Sequence, residues 1–190
     1  NILPLALFNK RNLLSLKYCY TNAPQARLKL NGRTVGEMKA VDERSGSITW
    51  ELPYAPGELL AEGCNEAGEV LSTYSISTVG RPYALSVKPL FGTSLKAGEG
   101  TALLEVEVVD ENGRRVVLAD NMVTCTVEGP GRFLGMESGD NSDMTLPKAT
   151  SKRAYRGRMM AYVAAGGEGA VKVSFSSPML KGCTVELQSK

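Results

Sequence analysis

The sequence predicts an all-β protein built from two consecutive immunoglobulin-like β-sandwiches. Apolar residues recur at every second position through most of the chain, as in Leu104, Val106 and Val108. That period is typical of strands with one buried and one solvated face. Turn sequences rich in glycine separate these runs, and no segment longer than a turn or two has the apolar spacing of a helix. Many short strands with regular turns indicate a sandwich or barrel.

The strand predictions follow the alternating runs in order. They cover residues 14–20, 28–30, 48–52, 104–108, 123–127, 155–163, 171–175 and 183–187. Two of the turns, Asn31-Gly32 and Asn112-Gly113, have the sequence that type I′ hairpins favour, because both central residues of that turn need a positive φ. We therefore expect a tight two-residue hairpin at each of them.

A break between the two sandwiches is expected near Pro82. The segment Val79-Gly80-Arg81-Pro82 ends one series of alternating residues, and a new series starts at Tyr83. Proline has no amide proton to donate to a strand ladder, so it suits a linker. The predicted organisation is a leader or linker over residues 1–12, a first sandwich over 13–80 and a second over 81–190. The leader is either disordered or an edge strand.

Charge and composition remove several classes of function. The 22 basic and 20 acidic residues give a net charge of +2, which does not indicate nucleic acid or an anionic membrane as a partner. No apolar run approaches the roughly 18 residues needed to span a bilayer. Histidine is absent, which removes the commonest general base and zinc ligand and excludes a Ser-His-Asp triad.

The four cysteines are widely separated and form no CxxC pair, so neither a zinc site nor a thioredoxin-type motif is expected. Cys125 and Cys183 lie in alternating apolar runs, which favours buried free thiols. An even number of cysteines also permits disulfides in an oxidising compartment. The disulfide state of Cys19, Cys64, Cys125 and Cys183 therefore stays open.

Several ordered motifs resemble one enzyme family. Tyr20-Thr21-Asn22, residues 28–36 (LKLNGRTVG) and residues 50–59 (WELPYAPGEL) are similar to the segment after the catalytic barrel of family 2 glycoside hydrolases. Further motifs resemble the terminal domain of the bacterial, β-galactosidase-like members. These are VEVVDENG at 106–113, ADN at 119–121, VEGPGRF at 127–133 and MESGD at 136–140. The resemblance extends from Leu14 to the end of the chain.

The resemblance implies a non-catalytic accessory or structural region of such an enzyme, involved in carbohydrate degradation. A catalytic barrel needs about 250 residues, more than this chain supplies. The implied partners are the catalytic barrel of a parent glycoside hydrolase and, as a second candidate, polysaccharide. The implied location is periplasmic or secreted. Two alternatives are a stand-alone carbohydrate-binding module and a structural or adhesion-type immunoglobulin-like protein.

The residues offer few candidates for chemistry or sugar binding. Retaining glycosidases need two carboxylates about 5 Å apart in a cleft. Glu105 and Glu107 alternate with core residues, so a solvated strand face is the expected interpretation. Trp50 shares the parity of core positions and is expected inside the sandwich. Tyr54, beside the Pro56-Gly57 turn, is the candidate for stacking on a sugar ring.

A second candidate is the acidic loop with Asp140, Asn141 and Asp143. Calcium takes six to eight oxygen ligands, and short acidic loops supply several. The alternative is that these side chains cap backbone amides in a turn. Calcium is thus a candidate ligand, and no other cofactor is expected. The nearby basic residues are expected on a solvated strand face; they are Lys148, Lys152, Arg153, Arg156 and Arg158.

Overall fold

The structure is a computed structural model that describes residues 3–8 and 14–190. It divides into two compact units, Asn1–Thr78 and Val79–Lys190. Of the predicted leader 1–12, residues Leu3–Phe8 form strand β1, which pairs antiparallel with strand β2 (Leu14–Tyr20) at the edge of a sheet. The rest of that leader lies outside the described residues.

Strands follow one another along both units, connected by turns and loops. In the first unit they are β1 (Leu3–Phe8), β2 (Leu14–Tyr20), β3 (Gln25–Leu30), β4 (Arg33–Ala40), β5 (Ile48–Pro53), β6 (Glu58–Cys64) and β7 (Val70–Ser77). In the second unit they are β8 (Ala84–Pro89), β9 (Ser94–Leu95), β10 (Thr101–Val109), β11 (Met122–Glu128), β12 (Gly131–Glu137), β13 (Ser151–Arg153), β14 (Arg158–Ala165), β15 (Gly169–Ser176) and β16 (Cys183–Ser189).

The first unit is a sandwich of two antiparallel sheets. One has the order β1-β2-β5 and the other the order β4-β3-β6-β7. Strands of both sheets supply the core, whose buried members are Cys19, Ala26, Leu28, Ile48, Trp50 and Ala61. Trp50 is 2% exposed, and its Nε1 donates to the Glu37 carbonyl at 2.9 Å, which confirms that the indole belongs to the core.

The Asn31-Gly32 hairpin is confirmed. The two residues have φ of 50° and 78°, the positive values that a type I′ turn requires. The Asn31 side chain also bonds the neighbouring strand, since its Oδ1 accepts the Glu58 N–H at 2.9 Å. Its Nδ2 donates to the Pro56 carbonyl at 3.2 Å. The turn residue thus fixes the adjacent β5–β6 connection as well as its own hairpin.

The second unit is also a sandwich, with sheets β12-β14-β10-β8 and β13-β11-β15-β16-β9. The inward residues of β10, β14 and β15 dominate its core, which includes Leu104, Val163 and Phe175. Together the two units confirm the predicted all-β sandwich fold.

The Asn112-Gly113 segment forms a hairpin turn, since Val109 and Arg115 bridge antiparallel and the Asp110 N–H donates to the Arg114 carbonyl at 2.9 Å, but the expected two-residue type I′ geometry is wrong. Gly113 has a φ of 73°, but Asn112 does not share a positive φ. Instead the buried carboxylate of Asp110 accepts the backbone N–H groups of Asn112 and Arg114, each at 2.9 Å, and that of Gly80 at 2.8 Å. These hydrogen bonds, with that from Gly80 first, lower the pKa of Asp110. A side-chain acceptor therefore shapes this turn in place of paired positive φ angles.

Candidate functional site

The acidic loop between β12 and β13 contains the candidate calcium ligands, and two of them cap turns. Asp140 Oδ1 accepts the backbone N–H of Ser142 at 2.9 Å and its hydroxyl at 2.7 Å. Asp143 Oδ1 accepts the Thr145 N–H at 2.9 Å. Both are the local side-chain to backbone bonds by which aspartate stabilises turns.

The other oxygen of Asp143 forms an ion pair. Lys152 Nζ lies 2.9 Å from Asp143 Oδ2 and also donates to the Thr145 carbonyl at 2.9 Å. Hydrogen bonds from Thr145 and Lys152 lower the pKa of Asp143 to about 2. Lys152 lies on β13 and is buried, so its expected place on a solvated face is wrong. The loop is thereby tied to the sheet.

This arrangement gives little support to a cation site. Within residues 3–8 and 14–190, no three His, Cys, Asp or Glu side chains form a group able to hold a metal ion. The Asp143 carboxylate already has a cationic partner, which a calcium ion would have to displace. Calcium binding by Asp140, Asn141 and Asp143 stays a prediction.

The outer face of the sheet β12-β14-β10-β8 holds the carboxylates of Glu105 and Glu107. Arg158 Nη2 lies 3.2 Å from Glu105 Oε1 and 4.0 Å from Glu107 Oε1. Arg115 Nη1 lies 3.7 Å from the same Glu107 oxygen. The strand containing Arg158 begins at that residue rather than at Tyr155 as expected. Both glutamates are thus held by arginines on the outer face of this sheet.

A tyrosine and a third carboxylate share this face. The Tyr162 hydroxyl donates to Glu137 Oε1, and this bond, followed by burial, raises the pKa of Tyr162 to about 12. The phenol is therefore protonated at neutral pH and serves as a hydrogen-bond donor. The face is a hydrogen-bonded and ion-paired surface around β14.

Tyr54, the candidate for sugar stacking, lies next to the β5–β6 turn and is 44% exposed. Its hydroxyl is 3.5 Å from the Thr78 Oγ1, which also accepts the Gly57 N–H at 3.1 Å. The ring is accessible, yet its hydroxyl belongs to the hydrogen bonds that hold the turn. Sugar binding at Tyr54 stays a prediction.

Sequence reasoning missed a charged triad on the outer side of β3 and β6. Arg27 Nε lies 2.5 Å from Glu62 Oε2, and Lys29 Nζ lies 2.7 Å from Glu62 Oε1. Glu62 is 6% exposed, and hydrogen bonds lower its pKa, that from Lys29 most. The only sequence signal was the alternation of Arg27 and Lys29 with apolar residues, which does not reveal the partner strand.

The cysteines are unpaired thiols. Cys19, Cys64 and Cys125 are buried, and Cys183 is half-buried against the core of the second unit. Burial raises the pKa of Cys125 to about 12 and that of Cys183 to about 11. Their thiolates are scarce at neutral pH, so these two groups lack the activation that a nucleophilic cysteine needs.

The two-sheet fold of each unit places this chain in the class of all-β sandwich modules. Residues 91–186 match the family model described as glycoside hydrolase family 2 C-terminal domain 5, and the chain belongs to that family. Residues 18–72, which span most of the first unit, match a second model described as a domain of unknown function. The predicted resemblance to the C-terminal region of family 2 enzymes is therefore confirmed.

Two curated relatives extend the match over most of the chain. The beta-galactosidase BoGH2A of Bacteroides ovatus is 27% identical over 175 residues, which cover 91% of this chain and 20% of that protein. A beta-glucuronidase of Formosa agariphila is 27% identical over 184 residues, covering 90% of this chain and 18% of that protein. The chain thus spans about a fifth of the length of the curated relatives it matches.

A solved structure shows the same fold. A beta-glycosidase from Bacteroides vulgatus superposes with a TM-score of 0.86 at 22% identity, covering 98% of this chain and 24% of that one. In the part of the chain that the structure describes, no helix has the length and apolar character needed to cross a membrane.

Proposed function

We propose that this chain is a non-catalytic accessory region of a β-galactosidase-like family 2 glycoside hydrolase, acting in carbohydrate degradation. The observation that supports this proposal most is the ion pairing of Glu105 and Glu107, the pair of carboxylates that the sequence offered as a glycosidase candidate. Arginines hold both carboxylates on a sheet face. A retaining glycosidase instead needs one free carboxylate nucleophile and a protonated partner flanking the sugar.

The packing of each unit is consistent with a structural role. Both have cores of buried apolar side chains, and their prominent carboxylates are held by cations or turn amides. Such modules serve by packing against a catalytic barrel, stiffening a multidomain enzyme or presenting polysaccharide to it. The parent barrel is the proposed partner, with polysaccharide the alternative partner that glycan binding would favour, and a periplasmic or secreted location accompanies this proposal. The resemblance to bacterial family 2 enzymes is what supports that location.

Hydrolysis assays test the absence of catalysis. The purified chain is incubated with p-nitrophenyl β-galactoside and p-nitrophenyl β-glucuronide, beside the double variant Glu105→Gln with Glu107→Gln. We expect both proteins to release nitrophenol no faster than buffer. Release by the unmodified chain that disappears in the double variant would overturn the proposal, since it would make these glutamates catalytic.

A separate measurement tests the accessory role. A longer version of the chain carrying a family 2 barrel is compared with the same protein after removal of residues 79–190. Loss of the second unit is expected to lower the thermal unfolding temperature of the barrel while its KM for the nitrophenyl sugar stays within about twofold, a change of roughly 0.4 kcal/mol. An unchanged unfolding temperature would contradict a stiffening role.

A further inference from the structure

The chain contains two exposed Asn-Gly dipeptides, Asn31-Gly32 and Asn112-Gly113, and both lie in turns. Asparagine deamidates most readily before glycine, because glycine has no side chain to shield its backbone nitrogen and leaves the chain flexible. That nitrogen attacks the asparagine Cγ, so the carboxamide has to be free to turn toward it. The structure therefore decides which of the two dipeptides reacts.

The Asn31 carboxamide is fixed on the β5–β6 connection. Its Oδ1 accepts the Glu58 N–H at 2.9 Å, and its Nδ2 donates to the Pro56 carbonyl at 3.2 Å. It also packs closely on Gly57, since a Cβ at that glycine would lie 2.5 Å from the Asn31 Cγ. Ring closure at Asn31 therefore requires that both hydrogen bonds break and that the carboxamide leave this contact.

The Asn112 carboxamide lacks such partners. Its backbone N–H donates to Asp110 Oδ1 at 2.9 Å, but no group among residues 3–8 and 14–190 forms a hydrogen bond with its side chain. A Cβ at Gly113 would meet nothing within 4 Å, so the space around the reacting nitrogen is open. One bond opposes the reaction, because the Gly113 N–H donates to the Asp110 carbonyl at 3.0 Å. Asn112 thus has one hydrogen bond to break where Asn31 has two.

We propose that Asn112 is a deamidation site of the folded chain, whereas Asn31 is protected. The Gly113 nitrogen loses its proton to solvent hydroxide and forms a bond to the Asn112 Cγ. The Cγ–Nδ2 bond then breaks, and ammonia leaves with a proton from solvent. Water opens the resulting succinimide ring at either of its carbonyls, which gives aspartate or isoaspartate. The net reaction consumes water and releases ammonia, and it needs no other reactant.

Isoaspartate at position 112 alters the turn that Asp110 organises. The backbone then runs through the side-chain Cγ and gains a methylene group before Gly113, while the former main-chain carbonyl becomes a carboxylate. This change displaces the Arg114 N–H, which Asp110 Oδ1 accepts at 2.9 Å, and brings like charge toward a buried carboxylate. The Asp110 carboxylate also accepts the Gly80 N–H at 2.8 Å, so conversion weakens its hold on the start of the second unit.

Incubation of the 190-residue chain in mildly alkaline buffer tests this proposal. The test is independent of the proposed accessory function, because it concerns these two turns alone. Tryptic peptides that end at Arg33 and Arg114 report the two sites separately by mass spectrometry, and a zero-time sample corrects for conversion during digestion. We expect Asn112 to convert faster than Asn31 by about fivefold or more, the rate ratio that one additional hydrogen bond of ordinary strength produces.

Two controls separate the fold from the sequence. In concentrated urea both dipeptides lose their hydrogen bonds, so the two conversion rates should agree within about twofold. Asn112→Gln is the matched variant, because its longer side chain has to close a larger ring and reacts far more slowly. After equal ageing, hydrogen exchange at the Gly80 and Arg114 amides should accelerate in the parent chain and stay unchanged in Asn112→Gln.

Three outcomes would overturn the proposal. One is equal conversion of Asn31 and Asn112 in the folded chain. Another is an unreacted Asn112 at the time when the urea sample has converted, which would show that its turn is protective. The third is a preference for Asn112 that persists in urea, since neighbouring residues and not the fold would then cause it. Unchanged exchange at Gly80 after complete conversion would contradict the link to the Asp110 carboxylate. Circular dichroism establishes that the chain stays folded during the incubation.

Discussion

Lys152 and Asp143 form an ion pair of 2.9 Å in which the two side chains are only 7% and 14% exposed. The lysine comes from β13 and the aspartate from the preceding loop, and the Thr145 carbonyl accepts a second bond from the same ammonium group. Buried charges are tolerated when paired and hydrogen-bonded. The pair therefore fixes the loop that bears the candidate calcium ligands.

Lys152→Met is expected to release this loop. The change leaves the Asp143 carboxylate without its cation, and removal of one partner of a buried pair is strongly destabilising. Hydrogen exchange of residues 138–150 should accelerate, and the thermal unfolding temperature should fall. Arg153→Met is the matched control, because the Arg153–Asp120 pair is 3.6 Å long with side chains 62% and 81% exposed. Equal effects of the two variants would contradict a specific role for Lys152.

Acid should weaken the same contact. The pKa of Asp143 is lowered from 3.8 to about 2 in the folded chain. A depressed carboxyl pKa contributes stability that is present above the unfolded pKa and is lost as the pH falls through the folded one. Urea unfolding of the parent and of Asp143→Asn should therefore differ at pH 5, and the difference should shrink between about pH 4 and pH 2. A difference independent of pH would show that the charge of Asp143 is not what matters.

Trp50→Ala should destabilise the first unit. Truncation of a fully buried tryptophan leaves a cavity and costs about 3–5 kcal/mol, and the change also leaves the Glu37 carbonyl without its indole donor. Urea unfolding followed by circular dichroism measures the loss. Tyr54→Ala, at the exposed ring a few residues along the chain, should cost less than about 1 kcal/mol, as surface substitutions usually do. Similar losses in both variants would contradict the core assignment of Trp50.

Gly157→Ala and Gly113→Ala separate backbone strain from steric clash. Both glycines have a φ of +73°, so each alanine has the same left-handed strain of roughly 1–2 kcal/mol. A Cβ at Gly157 would lie 2.3 Å from the Val116 carbonyl oxygen, whereas at Gly113 it would meet nothing within 4 Å. The first variant should therefore unfold at the lower urea concentration. Equal midpoints would show that the neighbouring loop relaxes at no cost.

The accessory proposal also predicts an outcome for glycan binding. A glycan-array screen of the chain, with calcium and again with EDTA, should show no micromolar ligand. A defined glycan whose binding disappears in Tyr54→Ala would favour a carbohydrate-binding module instead. Binding lost only in EDTA and in Asp140→Asn would identify the acidic loop as a calcium-dependent site.

The sequence predicted the fold class and those strands in which apolar residues alternate, because this pattern is local and is read directly from neighbouring positions. It placed Trp50 in the core for the same reason. The Lys152–Asp143 contact could not be predicted from the sequence, because it depends on how a loop of irregular backbone returns to a sheet. Lys152 was predicted at the surface from charge alone, although its ammonium group finds two acceptors inside.

The two Asn-Gly turns show the same limit. Asn31 follows the rule for type I′ hairpins, and its side chain bonds the next strand. Asn112 has the same dipeptide, but Asp110 two residues earlier offers an acceptor that competes for the turn amides. A dipeptide rule holds when no nearby side chain supplies a better set of hydrogen bonds. The Arg27–Glu62–Lys29 triad likewise depends on strand register, which local pattern does not fix.

The unpaired thiols affect how the folded chain responds to oxidants. No disulfide links the strands of either sandwich among the described residues, and the core of each is formed by buried apolar side chains. With Cys125 and Cys183 kept protonated by burial, ambient oxidants have little thiolate to attack. Oxidation of these two thiols in the folded chain should therefore be slow until the second sandwich opens.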